Sequence, residues 1–345
     1  MITKAIIQVI TILFLLSIVS AATKTLDIYF IDVEGGAATL IVTPAGESLL
    51  IDTGFPGDRD AGRIAHVALE LAGLKQIDYC VITHWHRDHV GGVAPLSKLI
   101  TIKHFYDHGL PATIASDMQA ENIDAYKLTT QGSSITLKPG DSIPLQGSPR
   151  GTVSISARVL AAGGMVLGDK TREPQVRPCG ENFQPKAEDT SDNANSIGIL
   201  FVFGRFRFYD GGDLTWNVEN RLACPRNLVG SVDVYQVDHH GNDSSNNPVL
   251  LKSLAPRVAI INNGPTKGGE PITFATISKL EGIQGIYQLH RNLKTTDKDN
   301  TADDYIANEA EACQGNFIKL SVAADSKSYS VSIPAKQITR NYKTR

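Results

Sequence analysis

From residue 26 onward the apolar residues fall into short runs broken by glycine and proline. Runs 26–33, 38–43 and 48–52 read as strands, with Pro44-Ala45-Gly46 turning the last two into a hairpin. Residues 61–74 follow a helical period instead, placing Ile64, Val67, Ala68 and Leu71 on one face. The run 79–83 then predicts a buried strand that ends on a histidine-rich segment. A second half repeats the pattern: strands 196–203 and 206–209 about the turn Gly204-Arg205, a helix near 215–222, and strand 232–237 running into His239-His240. Strand 257–261, helix 273–280 and strand 285–289 follow. This order predicts an α/β chain with two mixed β-sheets and helices outside them. Between the halves, 161–193 is polar and contains Gly163-Gly164, Pro174, Pro178 and Pro185, which predicts a loop or lid insertion.

The N-terminus departs from this pattern. Lys4 precedes an almost wholly apolar stretch, and Val19-Ser20-Ala21 forms a small-residue cleavage site, so 1–21 reads as a signal peptide cut after Ala21 or Ala22. The apolar run is shorter than the roughly 20 residues of a spanning helix, leaving no membrane segment in the mature chain. What remains, about 25–335, is expected to form a single exported domain, periplasmic or secreted. With 42% hydrophobic and 20% charged residues in 345, it can bury a large core.

Removing the leader takes only Lys4 from 33 basic residues set against 36 acidic ones. That balance gives no strong nucleic-acid footprint and favours a small-molecule or mobile substrate over long DNA. The four cysteines suit an oxidising compartment. Cys80 sits in an apolar run and reads as a buried thiol, whereas Cys179 and Cys224 lie in proline-containing, loop-like surroundings that favour a bridge between them.

In Thr83-His84-Trp85-His86-Arg87-Asp88-His89-Val90-Gly91-Gly92, three of the chain's nine histidines and an aspartate crowd together between an apolar strand and a glycine turn. Imidazole and carboxylate donors suit a borderline cation such as zinc, and a polar surface loop with chance histidines explains the concentration poorly.

This segment resembles the HxHxDH motif of the metallo-β-lactamase superfamily. Leu50-Ile51-Asp52-Thr53-Gly54, Tyr209-Asp210-Gly211-Gly212-Asp213 and Asp238-His239-His240-Gly241 resemble its accompanying motifs. The resemblance implies a four-layer αββα sandwich and two divalent metal ions, zinc first, with manganese or iron(II) as alternatives. His84 and His86 would bind one ion, Asp88 and His89 the other, and Asp213 both. His239 is the first choice to complete the second site, with His240 contacting substrate or exchanging roles with it. Asp52 would orient a ligand or water from behind. Asp88 and Asp52 are thus the candidate catalytic residues, the cations sharing a hydroxide that attacks phosphorus or carbonyl carbon.

Ile31-Asp32-Val33-Glu34-Gly35-Gly36, Asn193-Ala194-Asn195-Ser196 and His239-His240-Gly241 with Ser244-Ser245 further resemble the hydrolase domain of ComEC and related exported phosphodiesterases. That implies a phosphodiester substrate, with lactone, thioester or β-lactam hydrolysis as the alternative. Ala37 and Glu270-Pro271 depart from that branch, where an acidic residue and a His-Pro are usual. A diiron redox protein is disfavoured because such members carry Glu where His86 stands. A non-catalytic metal-binding protein fits the nearly complete ligand set poorly.

One ligand is missing from this reading. Between His89 and Asp213 only His104 and His108 occur, and both read as ordinary loop histidines; Asp192, Asn193, Asn195 or water would have to fill the first site. His66 and His290 read as an exposed helix residue and a loop residue, and Trp85 as packing beneath the site. Gly35-Gly36 reads as a turn, since no Lys-Ser/Thr follows.

Overall fold

The computed structural model describes residues 24–147, 153–170 and 183–345; the expected leader 1–21 and Cys179 lie outside them. Strict alternation organises the first strand, Leu26–Phe30. Leu26, Ile28 and Phe30 point into one apolar cluster while Tyr29 and the following Ile31 join another. A strand can serve two buried faces in this way because successive side chains point oppositely.

Among the described residues the strands form two sheets of nine. The first runs Ile338–Lys343, Ser328–Ile333, Ile318–Val322, Leu26–Phe30, Thr39–Val42, Ser48–Ile51, Gln76–Val81, Thr101–Asp107 and Ile135–Thr136. The second runs Ile306–Asn308, Gly285–His290, Val258–Ile261, Val234–Gln236, Phe206–Asp210, Gly198–Phe203, Ile155–Ala162 and Ser142–Ile143, with Met165–Val166 beside Ile155–Ala162. Each sheet is mixed, and each has a run of parallel strands: Ser48–Ile51 with Gln76–Val81 in the first, Phe206–Asp210 with Val234–Gln236 in the second. Parallel neighbours bring their C-terminal ends to one edge, where α/β sheets bind ligands.

The inner faces of the sheets share one core, built from residues such as Ile28, Phe30, Ile41, Phe201, Phe208 and Val234. Truncating a fully buried ring such as Phe201 to alanine would cost about 3–5 kcal/mol. On the outer face of the first sheet, Leu40, Leu50 and Ile82 pack with Ala61 and Ile64 of helix Asp58–His66 and with Leu96 of helix Val93–Leu99. On the outer face of the second, Tyr235 and Ile261 pack with Leu222 of helix Trp216–Ala223 and Leu250 of helix Pro248–Leu254. The layers are therefore helix, sheet, sheet, helix.

Two local expectations are corrected. The α-helix stops at His66 and continues as a π turn, Val67–Leu71, closed by Ala72 N–H donating to Val67 O at 2.9 Å. The wider turn rotates the face, so Val67 and Ala68 stay buried while Leu71 is exposed. The loop expected from residue 161 begins later. Ala161 and Ala162 complete a strand, and Gly163-Gly164, both at positive φ, turn the chain back onto Met165–Val166. The glycine pair makes a tight hairpin there because no Cβ opposes the left-handed backbone.

Candidate metal centre

The histidine-rich segment leaves Gln76–Val81 and ends in a single helical turn, Arg87–Val90. Two carboxylates from other parts of the chain hold it. Asp52 accepts the Thr83 backbone N–H and hydroxyl, both at 2.7 Å, and Asp192 accepts the Trp85 N–H at 2.6 Å. These alternate anchors fix the extended backbone that carries His84 and His86. Gly92 lets the turn close against the preceding loop, since a Cβ there would lie 2.0 Å from Thr53 O. Trp85 is fully buried, donates Nε1–H to Gly109 O at 3.0 Å, and stacks edge-on against Tyr126, so it packs beneath the site.

The second sheet supplies the rest. Asp213 follows Phe206–Asp210, and His239 and His240 follow Val234–Gln236. Both histidines adopt left-handed backbone, φ 53°. That conformation is uncommon outside glycine and is found where a site demands it. Asp52 shares it at φ 61°.

Asp213 Oδ2 is the hub. Four imidazole Nε2 atoms surround it: His89 at 3.3 Å, His240 at 3.4 Å, His239 at 3.6 Å and His84 at 3.8 Å. Asp88 Oδ2 lies 3.3 Å from His240 Nε2 and 3.6 Å from His89 Nε2. Asp88, His89, Asp213 and His240 thus converge tightly, every donor atom within 4.8 Å of the others. The neighbour of Asp88 and His89 is His240, where His239 was the expected choice. The two consecutive left-handed residues turn adjacent side chains apart, leaving His239 on another side of the hub.

Outer partners select the inward-facing nitrogen. Asp52 Oδ2 holds His89 Nδ1 at 2.7 Å, leaving Nε2 toward the hub. Asp117 holds His86 Nε2 at 2.8 Å, leaving Nδ1. Ser244 and Ser245 place hydroxyls 3.0 and 3.2 Å from His239 Nδ1. Such partners fix ring orientation in metal sites.

The electrostatics follow from this packing. Burial disfavours charge on all of these groups, yet His240, His89 and His239 hold the Asp213 carboxyl well below its ordinary range, and His89, His240 and Lys267 do the same for Asp88. Burial lowers His89, but Asp213, Asp52 and Asp88 outweigh it and raise the imidazole well above its ordinary value. Burial and the neighbouring His89 push His84 down. His84 Nε2 is buried without a hydrogen-bond partner among the described residues. An unsatisfied buried nitrogen costs about 1–3 kcal/mol, so that lone pair, four imidazoles and two carboxylates fit divalent cations well.

The other candidates fall as follows. Asp192 is occupied by Trp85 N–H, His108 Nε2 at 3.2 Å and Asn195 Nδ2 at 2.9 Å, so it braces the site. His108 is accordingly a partner of that brace, while His104 is exposed and stacks on Tyr79. Asn193 Nδ2 lies 3.5 Å from His239 Nε2. His66 is exposed. His290, expected in a loop, ends strand Gly285–His290, fully buried against Asp32. Ala37, in place of an acidic residue, donates its N–H to Asp88 O at 3.1 Å. Cys80 and Cys313 are free, and Cys224 is disulfide-bonded.

Sequence reasoning missed Lys267 and Asp117. Lys267 Nζ pairs with Asp88 Oδ2 and lies over the Phe55 ring, 5.6 Å from its centroid; Arg87 flanks the same ring at 5.4 Å. Lys267 sits in a glycine-rich loop after the parallel strand Val258–Ile261, and that position is the signal that was available. Asp117 had none, lying in a loop far along the chain.

Comparison with known proteins agrees with this geometry. Residues 31–143 match the family model described as the metallo-beta-lactamase superfamily. That segment of the chain is similar to the metallo-beta-lactamase superfamily. The chain's helix-flanked mixed sheets are consistent with that fold, and the superfamily consists generally of metal-dependent hydrolases. ComE operon protein 3 of Bacillus subtilis is 24% identical over 271 residues, covering 74% of this chain but 30% of its own length. The chain therefore spans under a third of that relative. Beta-lactamase-like protein 2 homolog of Caenorhabditis elegans is 27% identical over 244 residues, 66% of this chain and 76% of the relative. Among solved structures, CmlA, a diiron beta-hydroxylase from Streptomyces venezuelae, superimposes at a TM-score of 0.38 with 14% identity, covering 74% of this chain and 47% of its own.

Proposed function

We propose that this chain is an exported hydrolase that uses two divalent cations, zinc in the first instance, to cleave a phosphodiester-type substrate. The ring of imidazoles about Asp213 Oδ2 carries the reading. His84, His86 and His239 would hold one cation and Asp88, His89 and His240 the other, with Asp213 between them. His239 thereby fills the gap left by the sequence motif. Bound there, the ions supply Lewis acidity and an activated water at neutral pH.

The chain's own residues do the positioning. Asp52 and Asp117 keep His89 and His86 in the tautomer that offers the inner nitrogen. Lys267 and Arg87, both near the Phe55 ring, would offer donors to an anionic oxygen of the substrate, Lys267 exchanging its pairing with Asp88. The phosphodiester choice rests on the likeness of the Asp32, Asn193 and His239 motifs to exported phosphodiesterases, and the acidic balance favours a small or mobile diester. The disulfide at Cys224 supports an oxidising compartment, and no helix of the described residues is long and apolar enough to cross a membrane.

Elemental analysis of protein purified without added metal, followed by a panel of an aryl phosphodiester, a phosphomonoester, a lactone and a β-lactam, tests the reading. Zinc or manganese with diesterase turnover that Asp88→Ala and His86→Ala abolish is expected. Iron with an optical band would favour the redox alternative. Turnover untouched by both substitutions would remove the site from the reaction.

A further inference from the structure

Beside the hub, a second group of donors converges around the segment that follows the first strand. Asp32 follows strand Leu26–Phe30, His290 ends Gly285–His290, and Cys313 lies in the segment between Ile306–Asn308 and Ile318–Val322. Asp32 and His290 are fully buried, and Cys313 is partly buried. Cys313 Sγ lies 3.3 Å from Asp32 Oδ2, 3.9 Å from His290 Nε2 and 3.8 Å from Glu34 Oε1; His290 Nε2 lies 2.8 Å from Asp32 Oδ1. None of these residues belongs to the hydrolase centre.

We propose that Cys313, His290 and Asp32, with Glu34 at the open side, form a separate binding site for a borderline divalent cation such as zinc. The donor set is one sulfur, one imidazole nitrogen and carboxylate oxygen, the mixture such cations select. The spacing also fits. Bonds of about 2.0–2.3 Å at tetrahedral angles place neighbouring ligand atoms roughly 3.3–3.6 Å apart. The 3.3, 3.8 and 3.9 Å separations from Sγ are close to that edge length, whereas the 2.8 Å hydrogen bond between His290 Nε2 and Asp32 Oδ1 must open to admit the ion.

Charge is arranged for it as well. A thiolate, Asp32 and Glu34 together would bring three negative charges. Arg63 answers them from outside, donating to Asp32 Oδ2 at 3.0 Å, Glu34 Oε1 at 3.0 Å and Cys313 Sγ at 3.5 Å, and Arg59 pairs with Glu34. The guanidinium hydrogen-bonds the same oxygen and sulfur atoms that would hold the ion, so it must share them or draw back as the ion binds. A cavity of about 400 Å³, lined by Arg63 and by Gln314–Phe317 directly after Cys313, lies next to the cluster. Cys80, the other free thiol among the described residues, is fully buried and far less accessible to an ion.

The test is titration of the metal-stripped full chain with cobalt(II) alone. A sulfur-to-cobalt charge-transfer band is expected, with one equivalent more than Cys313→Ser or His290→Gln binds, and both variants should lose the band. His86→Ala and Asp88→Ala should keep it, which separates this site from the hydrolase reading. In the unmodified protein, cobalt should slow reaction of Cys313 with a small thiol reagent by about tenfold or more. No band, a band persisting in Cys313→Ser, or an unchanged thiol reaction rate would reduce the cluster to a hydrogen-bonded thiol and overturn the proposal.

Discussion

The two sides of Asp213 are built differently. Asp88, His89 and His240 touch one another, their side chains 9%, 0% and 1% exposed. On the other side His84 is fully buried, but His86 and His239 are 16% and 15% exposed, and His86 is tied to Asp117, itself 29% exposed. The first side is a closed set that packing pre-assembles. The second is a set whose members are oriented from an outer loop and from the Ser244–Ser245 turn. Metal affinity should therefore be unequal, because the more exposed ligands of the second side lose more side-chain freedom as the ion binds.

Removing the hub should have the largest effect. Asp213→Ala takes a donor from both sides, and turnover should fall by about 10³-fold or more, equivalent to roughly 4 kcal/mol of transition-state stabilisation, with metal content lost from both sites. Retention of two ions would break the assignment of Asp213 as shared. Next, His240→Ala and His86→Ala should differ: chelator titration should show the tight class of metal lost in the first variant and only the weak class in the second. Equal losses would erase the contrast. Third, Asp52→Asn should weaken the tight class by about 10–100-fold, and Asp117→Asn should affect the weak class alone and by less. Metal-competition assays distinguish them.

The smallest effect concerns stability. Asp210 is buried behind the hub, and burial pushes its carboxyl up to about 7, although Gly212 N–H donates to it. Its unfolded value is about 3.9, so the folded state prefers the protonated form. The contribution of this group to stability is then greatest below about pH 4 and falls as pH rises through about 7. Asp210→Asn removes the charge but keeps an acceptor for Gly212. In metal-stripped protein at pH 8 it should raise stability, with no gain at pH 4, as thermal melts would show.

The tight side of the hub was also the more legible in the sequence. Asp88 and His89 stand in one contiguous motif, and Asp213 and the histidine doublet each end a strand, so local pattern was enough to nominate them. Which doublet member faces which side depends on two left-handed residues, a backbone choice that no polar or apolar pattern encodes. Asp117 and Lys267 reach the site only through tertiary folding. Sheets and helices were readable because alternation and helical period reflect burial directly. Leu71 and the Met165–Val166 hairpin were not, since a π turn and a glycine-pair reversal each shift the period locally.

The position of strand Leu26–Phe30 has a consequence for how the molecule comes into being. It lies inside its sheet, between Thr39–Val42 and Ile318–Val322, and two further strands from the last part of the chain extend that sheet beyond it. Its outer backbone edge therefore stays open until nearly the whole polypeptide has emerged. Long-range pairing of this kind is slow, and an open apolar edge is a template for unwanted association. A nascent chain halted before residue 318 would carry the complete HxHxDH segment yet lack the strand that closes the sheet beneath it. Assembly of the metal centre is in this sense a late event, completed only when the last strands join the sheet beneath it.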